Sequence, residues 1–262
     1  MNPLNLAWGA AFALLGMVFG SFSSLLSYRL PRDLPVGMTR SACPSCHHVL
    51  AARDLVPLLG YVFQHGHCRW CQKAISRRYP LMELTCALLF VVAFMAFGAS
   101  LSGVLFAGLS FALLVVVVSD LETYIIPDTM VILVGVLGIL WRWKVVPGFG
   151  DAFLGALLGG GLTLGLRALF LLLRRKQGLG LGDVKFIAVA GIWLGFEALP
   201  WLLVLGGSFG VVFGMAWQAR NRLCRKKRTS RRKLPSYFPF GPALAFALYL
   251  LVLIQQRGYP WF

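Results

Sequence analysis

Acidic residues are scarce in this chain: nine aspartates and glutamates stand against 25 lysines and arginines in 262 residues. Charged residues of both signs together make up only 13%, about half the share of an ordinary soluble domain. With so little charge, 58% hydrophobic residues and a mean hydropathy of +0.76, a free soluble globule is excluded and a polytopic membrane protein is expected. A basic stretch ahead of the first apolar run is missing too, as is a small-residue cleavage site behind it. Leu4 to Leu26 therefore reads as a retained span rather than a signal peptide. The net charge of +16 falls in blocks beside apolar runs, which fits orientation and anionic lipid headgroups and argues against nucleic acid as a partner.

Only one long polar segment interrupts the apolar pattern, from Tyr28 to Pro80. After it come Leu81 to Gly98, Leu101 to Ser119, Thr129 to Val146, Ala152 to Leu173, Lys185 to Phe196, Leu199 to Trp217 and Phe240 to Ile254. The expected fold is therefore all-α and polytopic, with about eight transmembrane helices, the sixth of them short. Its organisation is a first transmembrane helix over 1–27, a small cytoplasmic domain over 28–80, and a transmembrane core over 81–262.

In so apolar a chain an acid at the lip of a span marks a functional site. Asp120 ends the run that begins at Phe111, and Asp183 follows the glycine-rich turn Gly178-Leu-Gly-Leu-Gly182. Two carboxylates held side by side cannot both ionise comfortably, so one serves as base and the other as acid at the same pH. That is the chemistry of an aspartyl protease. The glycines let the backbone bend at membrane depth and let another extended chain approach it. The other acids read more quietly: Asp128 as a helix N-cap, Glu122 as a supporting charge, Glu83 as the partner of Arg77 or Arg78, and Asp151 and Glu197 as interfacial residues.

The polar segment carries two Cys-x-x-Cys knuckles, Cys43-Pro-Ser-Cys46 and Cys68-Arg-Trp-Cys71, with residues 47–67 between them. The spacing is that of a zinc ribbon, in which both knuckles close one tetrahedral site. Four sulfur ligands leave no open position, so Zn²⁺ here is expected to be structural. His47, His48, His65 and His67 flank a cysteine set that is already complete, while Cys86 and Cys224 stand alone as small apolar or incidental thiols.

Several motifs now stand in order: Gly20-Ser-Phe with Tyr28-Arg-Leu-Pro31, the paired knuckles, Ser76-Arg-Arg-Tyr-Pro-Leu-Met-Glu83, Asp120 with Pro127-Asp128, Gly180-Leu-Gly-Asp-Val-Lys185, and Phe238-Pro-Phe-Gly-Pro242. The set resembles the prepilin peptidases, the bifunctional leader peptidases and N-methyltransferases of type IV pili and type II secretion. The resemblance implies cleavage of the basic leader of prepilins or pseudopilins at the cytoplasmic face of the bacterial inner membrane. It also implies methylation of the new N-terminus with S-adenosylmethionine. Asp120 and Asp183 match the catalytic pair of the family; Cys43, Cys46, Cys68 and Cys71 match its zinc ligands; no motif locates the methyl-donor pocket. The chain departs from the family at Ser24 and at Asp54-Leu-Val-Pro57, where asparagine is usual in the family pattern. A proton-coupled transporter using the same aspartates is the alternative; it predicts inverted repeats, which the two halves of the chain do not display.

Charge fixes an orientation. With both termini outside, every lysine and arginine except Arg142, Lys144 and Arg257 falls on the cytoplasmic side, including nine between Arg220 and Lys233. Both aspartates then face the cytoplasm at similar depth. Reporter fusions at Arg53 and at Asp120 should both read as cytoplasmic; an exterior signal at Arg53 would overturn the orientation.

Overall fold

The structure, a computed structural model, describes residues 2–37, 40–146, 148–175, 179–226 and 238–255. Gly178, Tyr237, Arg257 and most of the basic stretch from Arg220 to Lys233 lie outside the described residues or have undescribed side chains. Among the described residues there are nine α-helices and no strands: α1 (Pro3–Arg29), α2 (Leu59–Phe63), α3 (Arg78–Phe97), α4 (Leu101–Thr123), α5 (Asp128–Lys144), α6 (Phe149–Arg174), α7 (Leu181–Leu194), α8 (Leu199–Lys226) and α9 (Gly241–Gln255). Five of them, α1, α3, α4, α6 and the apolar part of α8, are long and apolar enough to cross a membrane. Each of the eight expected spans is helical, but α5, α7 and α9 are shorter, and the 14 residues of α7 cover only about 21 Å. The chain is thus a multi-pass membrane protein whose short helices are set among longer ones.

Two compact units divide the chain, Met1–Val115 and Val116–Phe262. In the first, Asn2 caps α1, its side chain accepting from the Leu4 amide at 3.3 Å, and Pro3 supplies a preset first helical turn. Here α1 and α3 run antiparallel in near backbone contact. A Cβ on Gly16 would stand 2.6 Å from the Ala87 Cα, and one on Gly20 would stand 2.5 Å from the Glu83 Cα. Between these helices the polar segment folds as two similar knuckles, each closed by one isolated bridge, Ala42 to Val49 and His67 to Ala74.

In the second unit α7 is the inner helix, packed against α5, α6 and α9. Glycines on its neighbours let it be approached so closely: Gly155 of α6 meets the backbone of Gly191, Gly159 lies under Ile187, and Gly138 of α5 receives the ring of Trp193. The Trp193 indole donates to the Val134 carbonyl at 2.8 Å. At the C-terminal end of α7, Arg142 donates to the Ile192 carbonyl at 2.9 Å and pairs with Asp151 at 3.0 Å, while Asp151 accepts the Phe196 amide at 2.9 Å. Asp151, expected at the interface without further role, therefore ties α5, α6 and the end of α7 together. Arg142 is buried, so its pairing with Asp151 offsets a cost of several kcal/mol for an unpaired buried charge.

Two more expectations change. Asp128 is the first helical residue of α5 rather than its N-cap, which is Pro127; its carboxylate grips Lys185 of α7 at 2.8 and 2.9 Å. Among the described residues Glu83 pairs with no arginine. It is buried and accepts the Leu58 amide at 2.7 Å, while Arg78 donates to the Ser27 hydroxyl at 2.8 Å.

The glycine contacts separate positions sharply. A methyl group at Gly191 would meet the Gly155 carbonyl, whereas one at Gly161 on α6 meets nothing within 4 Å. Gly191→Ala should cost about 1–3 kcal/mol through overpacking, and Gly161→Ala should stay within about 0.5 kcal/mol of the parent. Thermal unfolding in one detergent, comparing both variants, reads the difference; equal melting temperatures would contradict the packing.

Candidate active site

In the second unit Asp120 lies near the end of α4, and Asp128 and Asp183 lie in the first turns of α5 and α7. Asp120 lies one turn before the end of α4, the unfavourable end of a helix for a negative charge. The first amide of α9 meets it there: Gly241 N–H donates to Asp120 Oδ2 at 2.8 Å. A helix has free amides at its start and a partial positive charge to go with them, so α9 stabilises the carboxylate that α4 does not. The residue here has to be glycine, because a Cβ at position 241 would stand 2.8 Å from Asp120 Oδ2.

Asp183 is held in a parallel way. Gly180 is extended, with φ −67° and ψ 146°, and α7 starts after it with Asp183 at its third position. From there the carboxylate reaches back to accept the Gly180 amide at 3.3 Å, the acidic half of a capping box. Gly182 packs beneath Ile126, whose Cβ a methyl group would meet at 3.2 Å. Arg167 of α6 donates to the Leu179 carbonyl at 2.7 Å and so anchors the approach to the turn. Asp120 is buried and Asp183 is half-buried, and they are close enough for the charge of one to act on the other.

Between them the chain leaves α4 through Tyr124, a bulky residue in the left-handed region at φ 60°, whose amide bonds the Asp120 carbonyl at 2.9 Å. This abrupt exit brings Ile126 over Gly182 and Asp128 to Lys185. The structure thus brings Asp183 within electrostatic range of Asp120, and adds Gly241, Arg167, Tyr124 and the Asp128–Lys185 pair, none of which had been expected at the site. Gly241 lies in the aromatic turn Phe238-Pro-Phe-Gly-Pro242, whose composition alone gives no reason for its rings. That reason is packing: Phe240 covers Gly210 of α8, Phe238 lies near Gly214, and the two rings meet edge-on at 6.1 Å. Glu122, expected as a supporting charge, is exposed.

A second cluster occupies the polar segment of the first unit. The Sγ atoms of Cys43, Cys46, Cys68 and Cys71 all lie within 4.8 Å of one another, and Cys43 and Cys71 stand 3.8 Å apart. Four sulfurs at the usual Zn–S distance of about 2.3 Å are about 3.8 Å apart along the edges of a tetrahedron, so the set fits a four-coordinate metal. The knuckles repeat one backbone pattern. Cys43 N–H donates to the His48 carbonyl and His47 N–H to the Cys43 carbonyl; Cys68 N–H donates to the Lys73 carbonyl and Gln72 N–H to the Cys68 carbonyl. His47 and Gln72 both turn left-handed, at φ 57° and 55°. His48 of one knuckle stacks on Trp70 of the other at 3.7 Å, closing the pair.

The amides of Cys46 and Ser45 bring the Cys43 thiol down to about 6. At Cys46 the His48 amide also pulls downward, but burial and the neighbouring sulfurs outweigh it and leave that thiol near 11. Four sulfurs so close together become four thiolates only around a cation.

Compared with known families, residues 14–97 match the bacterial peptidase A24 N-terminal domain, and residues 107–215 match the type IV leader peptidase family. Among known proteins the chain is similar to the prepilin leader peptidase/N-methyltransferase of Aeromonas salmonicida (strain A449). The two are 33% identical over 296 residues, covering 99% of this chain and 97% of that one. The protein of the same name from Burkholderia pseudomallei (strain 1026b) is 33% identical over 90% of this chain and 82% of its own length. That from Klebsiella pneumoniae is 38% identical over 76% and 90%. No solved structure matches the chain significantly. With both segments matched in order and relatives aligned along nearly its whole length, the chain belongs to the type IV leader peptidase family.

Proposed function

We propose that this protein is a membrane aspartic endopeptidase that removes the basic leader of prepilins or type II secretion pseudopilins and N-methylates the end it creates. The observation that carries the peptidase reading is the pair Asp120 and Asp183, each bound by a glycine amide at a helix start within reach of the other's charge. A shared proton leaves one carboxylate ionised to take a proton from water and the other neutral to donate to the scissile carbonyl oxygen. Water attacks the carbonyl carbon, and the leaving amine takes a proton as the tetrahedral intermediate collapses. The two carboxyls titrate as one unit, so base and acid are roles of the pair. Gly180 and Gly182 support the approach of an extended substrate, since neither carries a side chain to keep another backbone away. Multi-pass architecture and the distribution of basic residues support an inner-membrane enzyme acting at the cytoplasmic face.

Methyl transfer follows from the names of the relatives, which pair peptidase with N-methyltransferase. S-adenosylmethionine is the donor this reading requires. Amide hydrolysis needs paired carboxylates and water, whereas methyl transfer needs a neutral amine aligned with a sulfonium carbon away from water. The two reactions therefore use separate sites, with methyl transfer in the part that includes residues 28–80 and peptide cleavage in the core from 81 to 262. Zinc held by Cys43, Cys46, Cys68 and Cys71 crosslinks the small polar domain, whose own core is slight.

Asp120→Asn and Asp183→Asn should each lower cleavage of a prepilin peptide by at least about 1,000-fold, the loss of a general acid or base. Both should still methylate an already cleaved peptide bearing a free N-terminal phenylalanine. Mass analysis of the products reads both steps; near-normal cleavage by either variant would remove it from the catalytic pair, and an inactive parent protein would favour the transporter reading. For the metal, elemental analysis should find one zinc per chain, and Cys43→Ser or Cys71→Ser should lose it and make residues 28–80 sensitive to protease. Active protein free of zinc would overturn that role.

A further inference from the structure

Glu83 is a buried acid that cleavage does not use. It is 7% exposed, five residues into α3 and so about 7.5 Å along the helix from Arg78, at the depth where a span meets the headgroups. Its Oε2 accepts the Leu58 amide at 2.7 Å. No cation is paired with it among the described residues. The elements packed on it explain why. On one side α1 has no charged residue from Pro3 to Tyr28, and it approaches closely because Gly20 lies against the Glu83 Cα. On the other side the chain from Ala51 to Leu58 offers Asp54, whose carboxylate is taken by the Ala51 amide at 3.1 Å and stands 4.0 Å from Arg69. Along α3 itself, Arg78 is turned to Ser27 and Cys86 is a buried thiol. An intramembrane carboxylate that a backbone amide orients, and that no cation among the described residues neutralises, is open to a cation brought from outside.

Resting on the methyl-transfer reading above, we propose that the Glu83 carboxylate binds the free N-terminal ammonium of the cleaved substrate and serves as its base for methyl transfer. The chemistry recognised is a primary alkylammonium on an apolar chain, presented at the membrane surface. The ammonium first gives one proton to the Glu83 carboxylate. The neutral nitrogen then attacks the sulfonium methyl: a C–N bond forms, the S–CH₃ bond breaks, and its electron pair stays on sulfur, leaving a neutral thioether and a methylated ammonium. Glu83 passes its proton to water as product leaves. The hydrogen bond from Leu58 ties the carboxylate to the polar domain, so the acceptor nitrogen is held where the span and that domain meet. The donor also carries an ammonium, and its binding is measured separately for that reason.

The experiment uses the full-length protein in detergent with a prepilin peptide, an already cleaved peptide with N-terminal phenylalanine, and radiolabelled S-adenosylmethionine. Glu83→Gln keeps the acceptor for the Leu58 amide and loses the charge. It should cleave prepilin at the parent rate, bind S-adenosylmethionine with unchanged affinity, and methylate the cleaved peptide at least 100-fold more slowly at pH 7. Part of the loss should return at pH 9, where an α-amino group of pKa about 8 is already neutral. Glu83→Asp, which keeps the charge on a shorter arm, should fall between the two. Methylation by Glu83→Gln within twofold of the parent would overturn the proposal. So would a parallel loss of donor affinity, which would place the donor at this carboxylate, or a joint loss of cleavage and methylation without alkaline recovery, the mark of a purely structural role. A parent protein that cleaves but never methylates would instead remove the methyl-transfer reading on which the proposal rests.

Discussion

The close approach of α6 to α7 at Gly155 and Gly191 is the constraint on which the second unit depends. Where two backbones touch, side chains cannot fill the space, so dispersion between main chains and the surrounding side chains has to hold the pair. Without a hydrophobic driving force between helices in lipid, such fit is what sets one helix against another. Helix α7 is too short to cross a membrane on its own. Enclosed by α5, α6 and α9, it does not need to, and its buried start becomes a fixed platform for Asp183.

The same scarcity of donors shapes each acidic site. Asp120 accepts the first amide of α9, Asp183 the cap amide of α7, Glu83 the Leu58 amide, and Asp151 the Phe196 amide. In a medium with little water, a carboxylate takes the free amides that helix starts and turns leave over, and each such bond also fixes the place of the segment that provides it. Only Asp151 has a buried cation as well, Arg142, and it lies beyond the other end of α7 from Asp183. Of these four, Asp151 thus holds the fold through a paired charge, whereas the other three are held by amides.

The zinc-ribbon-like segment works by another principle. It has little core, and its two knuckles repeat one backbone turn around thiol pairs, so closure depends on what the four sulfurs bind. Its position between α1 and α3 puts a polar, foldable surface beside a membrane helix pair.

Sequence alone determined the all-helical, multi-pass class and the gathering of Cys43 and Cys46 with Cys68 and Cys71, and it singled out Asp120 and Asp183 as acids where charge is costly. Those features are legible because each is local: an apolar run of known length, a fixed spacing of thiols, a charge where charge is costly. Tertiary structure alone decided that Gly241 supplies the amide for Asp120, though 121 residues separate them, and that Asp128 grips Lys185 instead of capping its own helix. It likewise decided that Glu83 accepts the Leu58 amide. The reason is physical: which donor reaches a buried carboxylate depends on how closely distant backbones pack, and that closeness comes from glycines whose partners no local pattern names.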